Sequence, residues 1–364
     1  MSHRESALEE KWLELIRGDR RGLTAGLARA GLRIASAPYG LGVRFRNGLY
    51  NWGWKRATRA PVPVVSIGNL TLGGTGKTPC VEYIARFYST RGVRAAILSR
   101  GYGSDAGRND EAMVLEENLP DVPHLQGADR VALAGLAVEE LEAELVILDD
   151  GFQHRRLARD LDVVLIDATR PPARDHLFPR GTLREPASGL RRADAIMVTR
   201  SDQASADELA SLRGWLSCRR PGTPVSVTAH APLDLIGGEA PEPTAVLAGK
   251  PVKAFCGIGN PNAFCRTLQS LGVDIVDYRV YADHHAYTRA DVEDLQRWAE
   301  TLPSDGAVLT TQKDLVKLRI AELGGRPLRA VRIGLQFRDG QPEFDTLLER
   351  CIPEARRNEV DSDD

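Results

Sequence analysis

Cysteine is scarce in this chain. Five residues in 364, Cys80, Cys218, Cys256, Cys265 and Cys351, are odd in number, widely scattered and without a CxxC pair. That excludes a disulfide framework, offers no cysteine cluster for a metal and fits a reducing compartment. Long hydrophobic runs are missing too. No window approaches eighteen consecutive apolar residues, and Met1-Ser2-His3-Arg4-Glu5 lacks the apolar core of a secretory leader, so the chain is expected to be neither exported nor membrane-spanning. Net charge is small, −2 at pH 7, which argues against wholesale nucleic-acid binding. No repeat of solenoid length is present.

Apolar residues at 42% and charged residues at 27% are ordinary for a soluble protein, and the length predicts two domains. The charge is unevenly spread. From Arg20 to Arg59 there are nine basic residues and no acidic one, whereas 359–364 are acidic. Leu23, Leu27, Ala30 and Ile34 recur at helical spacing. After Pro38-Tyr39-Gly40 a second segment offers Phe45, Leu49 and Trp52, with Tyr50, Trp54, Lys55 and Arg56 adding aromatic and cationic groups. Such a composition suits a helix lying on an anionic membrane surface. Residues 1–59 are therefore read as a basic amphipathic helical region, and 353–364 as an acidic, disordered tail.

Between them the pattern is α/β. Val62 to Gly68 reads as a buried strand, followed by a glycine-rich turn, a helix from about Lys77 to Arg91 and a strand at Arg94 to Ser99. A helix from Ala128 to Ala143 and apolar strands at Leu145 to Leu148, Val163 to Ile166, Ala195 to Thr199 and Val225 to Thr228 continue the alternation. Apolar strands separated by helices imply a parallel sheet with helices on both faces, of the P-loop NTPase-like class. Leu235 to Pro243 reads as a linker. Beyond it, strands at 252–257, 274–280, 307–311 and 329–335, with helices after Pro261 and near 291–302, make a smaller C-terminal α/β lobe. The expected domains are 60–235 and 243–352. The irregular Pro- and Arg-rich stretch Arg170 to Arg192 is long enough to suggest a functional loop.

Gly73-Gly74-Thr75-Gly76-Lys77-Thr78 at the head of the first helix is a phosphate-binding loop. Glycines let backbone N–H groups approach a phosphate chain, the helix N-terminus favours the anion, Lys77 neutralises charge and Thr78 holds Mg²⁺. The strict pattern places glycine six positions before the lysine, where this chain has Thr71. Leu145 to Leu148 runs into Asp149-Asp150, the Walker B arrangement that sets acid beside the metal. A guanine-reading Asn-Lys-x-Asp is absent, because in Thr311-Gln312-Lys313-Asp314 the lysine and aspartate are adjacent. Gln153, His154, Arg155, Arg156, Arg180, Arg184 and Glu185 gather near the acidic strand in sequence, as a site for an anionic acceptor would require. A nucleotide-gated switch or metal-loading chaperone, and a kinase of a soluble sugar, are the competing readings.

These residues resemble the tetraacyldisaccharide 4'-kinases, or lipid A 4'-kinases, from about Ala60 to Lys317. The likeness is carried by Ala60-Pro61-Val62-Pro63-Val64-Val65, Gly68-Asn69-Leu70-Thr71, Ser99-Arg100-Gly101-Tyr102-Gly103, the run Asp149-Asp150-Gly151-Phe152-Gln153-His154-Arg155-Arg156-Leu157-Ala158-Arg159-Asp160, Gly181-Thr182-Leu183-Arg184-Glu185, Ala282-Asp283-His284-His285 and Thr311-Gln312-Lys313-Asp314. The family's P-loop carries Ser or Thr where this chain has Thr71. The resemblance implies transfer of phosphate from ATP, with Mg²⁺, to the 4'-hydroxyl of an acylated disaccharide 1-phosphate at the cytoplasmic face of the inner membrane, giving lipid IVA. The enzyme would be peripheral, and no protein partner is implied. Lys77 and Thr78 would bind ATP and Mg²⁺, and Asp149, Asp150 and His154 would organise metal, phosphate or acceptor. Asp110, in Asn109-Asp110-Glu111 where the family has Gly-Asp-Glu, would pair with His284 to activate the hydroxyl. Gln153, Arg184 and Glu185 are acceptor candidates, with Arg100 and Arg130 as further anion contacts. Closure of the two lobes would exclude water.

Overall fold

A computed structural model describes residues 11–101, 110–354 and 356. Tyr102 and Gly103 of the SRGYG run, Asn109, and the acidic end of the chain fall outside them. The chain divides into two compact units, one of residues 1–102, 119–230 and 335–364, the other of 103–118 and 231–334.

The first unit is built on strands β1 (Val64–Asn69), β2 (Ala95–Ser99), β3 (His124–Gln126), β4 (Leu145–Asp149), β5 (Leu161–Asp167) and β6 (Ala195–Thr199). They lie in the order β6-β5-β1-β4-β2-β3, all parallel. All six residues of β1 and all seven of β5 are buried, as strands covered on both faces must be. The chain leaves β1 toward β2, β3 and β4 on one side and then builds β5 and β6 on the other. The C-terminal end of β1 is therefore the point where winding reverses, and parallel sheets open a crevice for ligands there. The first half of β7 (Val225–Ile236) adds beside β6. The helix Gln341–Glu349 returns to this unit, with Phe344 packed at a tilt against Tyr83 and the Tyr88 hydroxyl donating to the Leu348 carbonyl. These contacts span more than 250 positions, and they place 335–352 with the P-loop sheet although the sequence assigns that stretch to the C-terminal lobe.

The helix Leu23–Asn51 runs unbroken through Pro38, where two segments were expected. Proline removes one N–H, leaving the Ile34 carbonyl, on a turn whose side chain is 74% exposed, for water to satisfy. Ser36 and Gly40, on either side, clamp the helix to the 170–192 loop. The Ser36 hydroxyl reaches the Leu177 carbonyl at 2.9 Å, and a Cβ on Gly40 would lie 2.8 Å from Leu177.

The second unit holds β8 (Pro251–Cys256), β9 (Asp274–Val280), β10 (Ala307–Thr311) and the first part, to Gly334, of β11 (Arg326–Asp339), ordered β9-β8-β10-β11 and parallel. Phe255, Leu295, Trp298, Val308 and Leu328 form one of its cores. The expected linker at 235–243 is a tight reversal instead, with Asp234 and Leu235 paired antiparallel to Pro243 and Glu242. Two short helices, Asp110–Asn118 and Gln312–Leu318, escaped the sequence reading.

Candidate active site

The P-loop bridges the end of β1 and the helix Lys77–Ser89. Gly73 (φ 95°) and Gly76 (φ 82°) take left-handed conformations that suit glycine. A Cβ on Gly76 would sit 2.4 Å from His230 Nε2, so the loop also needs glycine for space. Thr71 bridges to Leu183, and the Leu72 N–H donates to the Thr182 carbonyl at 2.7 Å. The position that departs from the strict motif is thus a strand-like anchor between the P-loop and the Gly181-Thr182-Leu183-Arg184-Glu185 segment. The Thr75 carbonyl accepts from Thr199 at 2.8 Å.

β4 delivers its acid beside the loop, since Asp149 is in register with Ile67 of β1. Asp149 also lies near enough to the P-loop helix to help burial raise the Cys80 thiol. Asp150 adopts φ 54°, which turns its carboxylate toward two cations. Arg184 Nη1 lies 2.9 and 2.8 Å from its oxygens, and Lys77 Nζ 3.4 Å from one of them. Burial opposes ionisation of Asp150, but Lys77 and Arg184 outweigh it and hold the carboxyl below its ordinary range. The turn that follows is packed too tightly for side chains at its glycines. A Cβ on Gly151 would come 2.6 Å from Ser66 Oγ, and one on Gly68 would come 2.6 Å from Phe152 Cβ.

His154 follows that turn, and burial together with Arg130, Arg159 and Arg156 lowers its imidazole to about 4. It is neutral at pH 7. Arg130, buried at the start of Arg130–Leu141, is depressed by burial and by Arg100, and supported by Asp150 and Asp149. The structure thus groups Lys77, Asp149, Asp150, His154, Arg184, Arg130 and Arg100 around the crevice. Gln153 bonds the Asn69 carbonyl and Glu185, each at 2.9 Å. Glu185 is fully buried and held by Arg192 at 2.9 Å and Asn47 at 3.2 Å. Glu185 therefore acts as an internal counter-ion in this structure. Arg180 is turned to the N-terminal helix, its backbone N–H on Ser36 Oγ at 3.1 Å.

In the second unit Asp110, at the N-terminus of its helix, faces His284, with Nδ1 2.9 Å from Oδ2. His284 has φ 57° and its backbone N–H donates to Gly257 at 3.2 Å. Its hydrogen bond to Asp110 raises the imidazole above its ordinary value against the effect of burial. Burial favours a neutral Asp110, but His284, Lys313 and Lys317 outweigh it and keep the carboxyl below its usual range. An ionised Asp110 accepts from Nδ1–H, leaving the Nε2 lone pair on a side chain that is 54% exposed. The neighbouring His285 has a different task. It stacks on Tyr281 and reaches Asp291 at 3.2 Å.

Three features went unread in the sequence: His230 against Gly76, the Arg200–Asp167 ion pair, with Arg200 near Gly74, and Lys317 beside Asp110. Each depends on contacts distant in sequence, and none carries a local motif.

Nucleotide and metal fit this arrangement. The glycine cradle at Gly76 is too close for a Cβ, Lys77 at the helix N-terminus lies 3.4 Å from Asp150, and Thr78, Asp149 and Asp150 are the hydroxyl and the two carboxylates that a metal could use. So small a protein oxygen set suits Mg²⁺, which keeps waters and phosphate oxygens as its other ligands. A parallel sheet with a P-loop at its switch point and paired acids on the adjacent strand defines a P-loop nucleotide-binding protein. The profile of the Tetraacyldisaccharide-1-P 4'-kinase family (LpxK) matches residues 28–353, and the chain belongs to that family. It is 40% identical to the tetraacyldisaccharide 4'-kinase of Anaeromyxobacter dehalogenans, over 94% of this chain and 95% of the relative. It is 37% identical to that of Syntrophus aciditrophicus, over 87% and 91%. Among solved structures it is similar to Aquifex aeolicus LpxK in complex with ATP, with TM-score 0.72 and 30% identity over 90% of this chain and all of that one.

Proposed function

We propose that the chain transfers the γ-phosphoryl group of ATP to the 4'-hydroxyl of a tetraacyl glucosamine disaccharide 1-phosphate, giving lipid IVA. The observation that carries the reading is the Asp150 carboxylate shared between Lys77 and Arg184 at the P-loop, in a chain of this family. Bound Mg²⁺ would neutralise charge on the phosphates, held by Thr78, Asp149 and Asp150. Lys77 follows the γ-phosphate charge as it shifts, and Arg184 and Arg130 add cations in a largely buried crevice where they act strongly.

The Asp110–His284 pair acts as the base in this proposal. Nε2 takes the 4'-hydroxyl proton, the hydroxyl oxygen bonds to the γ-phosphorus and the bond to the β,γ-bridging oxygen breaks, releasing ADP. Asp110 stabilises the imidazolium that forms. His154, neutral and surrounded by cations, can accept a hydrogen bond from the acceptor without adding charge.

The N-terminal helix supports peripheral attachment to the cytoplasmic face of the inner membrane. At about 100° per residue, Leu23, Leu27, Ile34, Leu41 and Phe45 fall within about 40° of arc along a helix about 43 Å long, and all five are exposed. Ala25, Ser36, Gly40 and Val43, the buried residues, point the other way. An apolar stripe backed by a packed face suits insertion at a lipid interface, and no described helix is long and apolar enough to cross a membrane.

Incubation with γ-labelled ATP and a defined tetraacyl disaccharide 1-phosphate tests the reading. Label should enter the extracted lipid. Label confined to free phosphate would refute it.

A further inference from the structure

Beside the apolar stripe, a cavity of about 260 Å³ opens between the N-terminal helix and the 170–192 loop, lined by Arg33, Ser36, Arg44, His176, Leu177 and Arg180 among others. Cations dominate its lining. Among the described residues no carboxylate lies within ion-pair distance of Arg33, Arg44 or Arg180. Asp175, the acid of the same loop, already accepts from the Thr182 N–H and hydroxyl and the His176 N–H. Arg33 Nη2 lies 2.9 Å from His176 Nε2. Guanidinium stays protonated, so His176 accepts there as a neutral imidazole. Burial, Arg33 and Arg29 lower the basicity of Arg180 against the opposing charge of Asp175, and its Nη1 donates to the Ile16 carbonyl at 3.1 Å. The guanidinium groups of Arg33 and Arg180 thus repel one another beside the cavity, an arrangement that an anion would relieve.

The walls are fixed. Ser36, itself buried, reaches the Leu177 carbonyl and accepts the Arg180 N–H, and Gly40 presses on Leu177. Planar forks of N–H donors match phosphate oxygens. On the helical wheel Arg33 and Arg44 sit about 60–80° from the line of Leu23 and Leu41. An anion in the cavity would therefore lie at headgroup level when the stripe is in the acyl region.

We propose that this cavity binds the phosphate of an anionic phospholipid headgroup, whose chains run beside the stripe. This rests on the membrane attachment above and adds to it a discrete site and a lipid class. The volume suits a phosphodiester and its glycerol better than a drug-sized ligand.

The test uses the full chain and sedimentation with vesicles of phosphatidylcholine, with and without about one-third phosphatidylglycerol. Arg33→Gln/Arg180→Gln should lower affinity for the anionic vesicles by well over the about thirtyfold that two surface cations contribute by charge alone. Arg33→Lys/Arg180→Lys should lose most of that affinity as well, because charge without the guanidinium fork does not rebuild the site. Lys55→Gln/Arg56→Gln, on the same basic region outside the cavity, should lose several-fold less. Arg44→Gln, an exposed single change, repeats the test if the double variants melt early. Equal losses in both Gln pairs with full retention in the Lys pair would overturn the site in favour of diffuse attraction. A matching rise in KM for detergent-dispersed acceptor, without phospholipid, would instead assign the cavity to the acceptor's own phosphate and overturn the phospholipid assignment. Wild type that binds neither vesicle would sink the membrane reading itself, whereas anionic binding unchanged in the Arg33/Arg180 and Arg44 variants would sink only the site.

Discussion

Asp150→Asn isolates the charge balance at the P-loop. The carboxylate touches Arg184 at 2.8 Å and Lys77 at 3.4 Å, and the three side chains are 14–22% exposed. The amide keeps the shape and removes the charge, leaving two cations together without their counter-ion. Breaking a buried pair from one side costs about 3–5 kcal/mol, and partial solvation here favours the lower end, about 3 kcal/mol. For a chain of 364 residues that corresponds to a fall in melting temperature of about 4 °C. Nucleotide phosphate can supply the missing negative charge. ATP without metal should therefore raise the melting temperature of the variant more than that of wild type, in which Lys77 must first be drawn from Asp150. Calorimetry with and without ATP measures both effects, and phosphoryl transfer with Mg²⁺ should fall by about 100-fold or more. A variant that melts within a degree of wild type, or that gains no extra stability from ATP, would refute the balance described.

Asp110→Asn should lower the plateau of a pH–rate profile by about 10²–10⁴-fold. A base must be neutral to work, and Asp110 raises the pKa of His284, so losing it should also move the acid limb to lower pH. Gly76→Ala would drive a Cβ against the His230 ring at φ 82°, a backbone strain of about 1–3 kcal/mol. ATP affinity should drop, and His230→Ala in the same chain should restore part of it in a titration. Ile34→Asp/Leu41→Asp should abolish vesicle binding while leaving turnover of detergent-dispersed acceptor near wild type. His154 and His230 both titrate near 4 in the folded chain, against about 6.5 unfolded. The unfolded state therefore binds protons first as pH falls. Stability should decline from about pH 6.5 toward 4, and urea melts of a His230→Gln variant should show a shallower decline.

The P-loop, its strand and its acidic neighbour were legible because their signals are local: glycine spacing, a run of apolar residues, two aspartates at its end. The run from Asp149 to Asp160 was recognisable as a unit, but its division of labour was not. Asp160 accepts the Val64 N–H at 2.9 Å, Arg159 pairs with Asp162 at 3.2 Å, and Phe152 is buried under the Arg192 guanidinium at 4.3 Å. These serve as scaffold, whereas Asp150 and His154 face the crevice. Glu185 illustrates the limit from the other direction. Beside Arg184 in sequence it suggests an acceptor contact, yet its carboxylate is spent on Arg192, Gln153 and Asn47, and no local pattern encodes those partners. The helix Asp110–Asn118 was hidden because nine residues with four acids show little periodicity, so Asp110 could be found only through family likeness. The reversal at 237–241 looked like a linker for its glycines and prolines, which serve a tight turn equally well.

The N-terminal helix also touches the chemistry. Tyr39 donates to the Arg184 carbonyl at 2.8 Å, and Arg155 donates to Asn47 and Asn51 at 2.9 Å each. The element with the apolar stripe is thus pinned to the backbone of the residue that holds Asp150. On a bilayer the enzyme would meet its acceptor by lateral diffusion in two dimensions, and turnover would follow the mole fraction of acceptor in the surface. Dilution with inert lipid would then slow the reaction even where the total amount of acceptor in the suspension is unchanged.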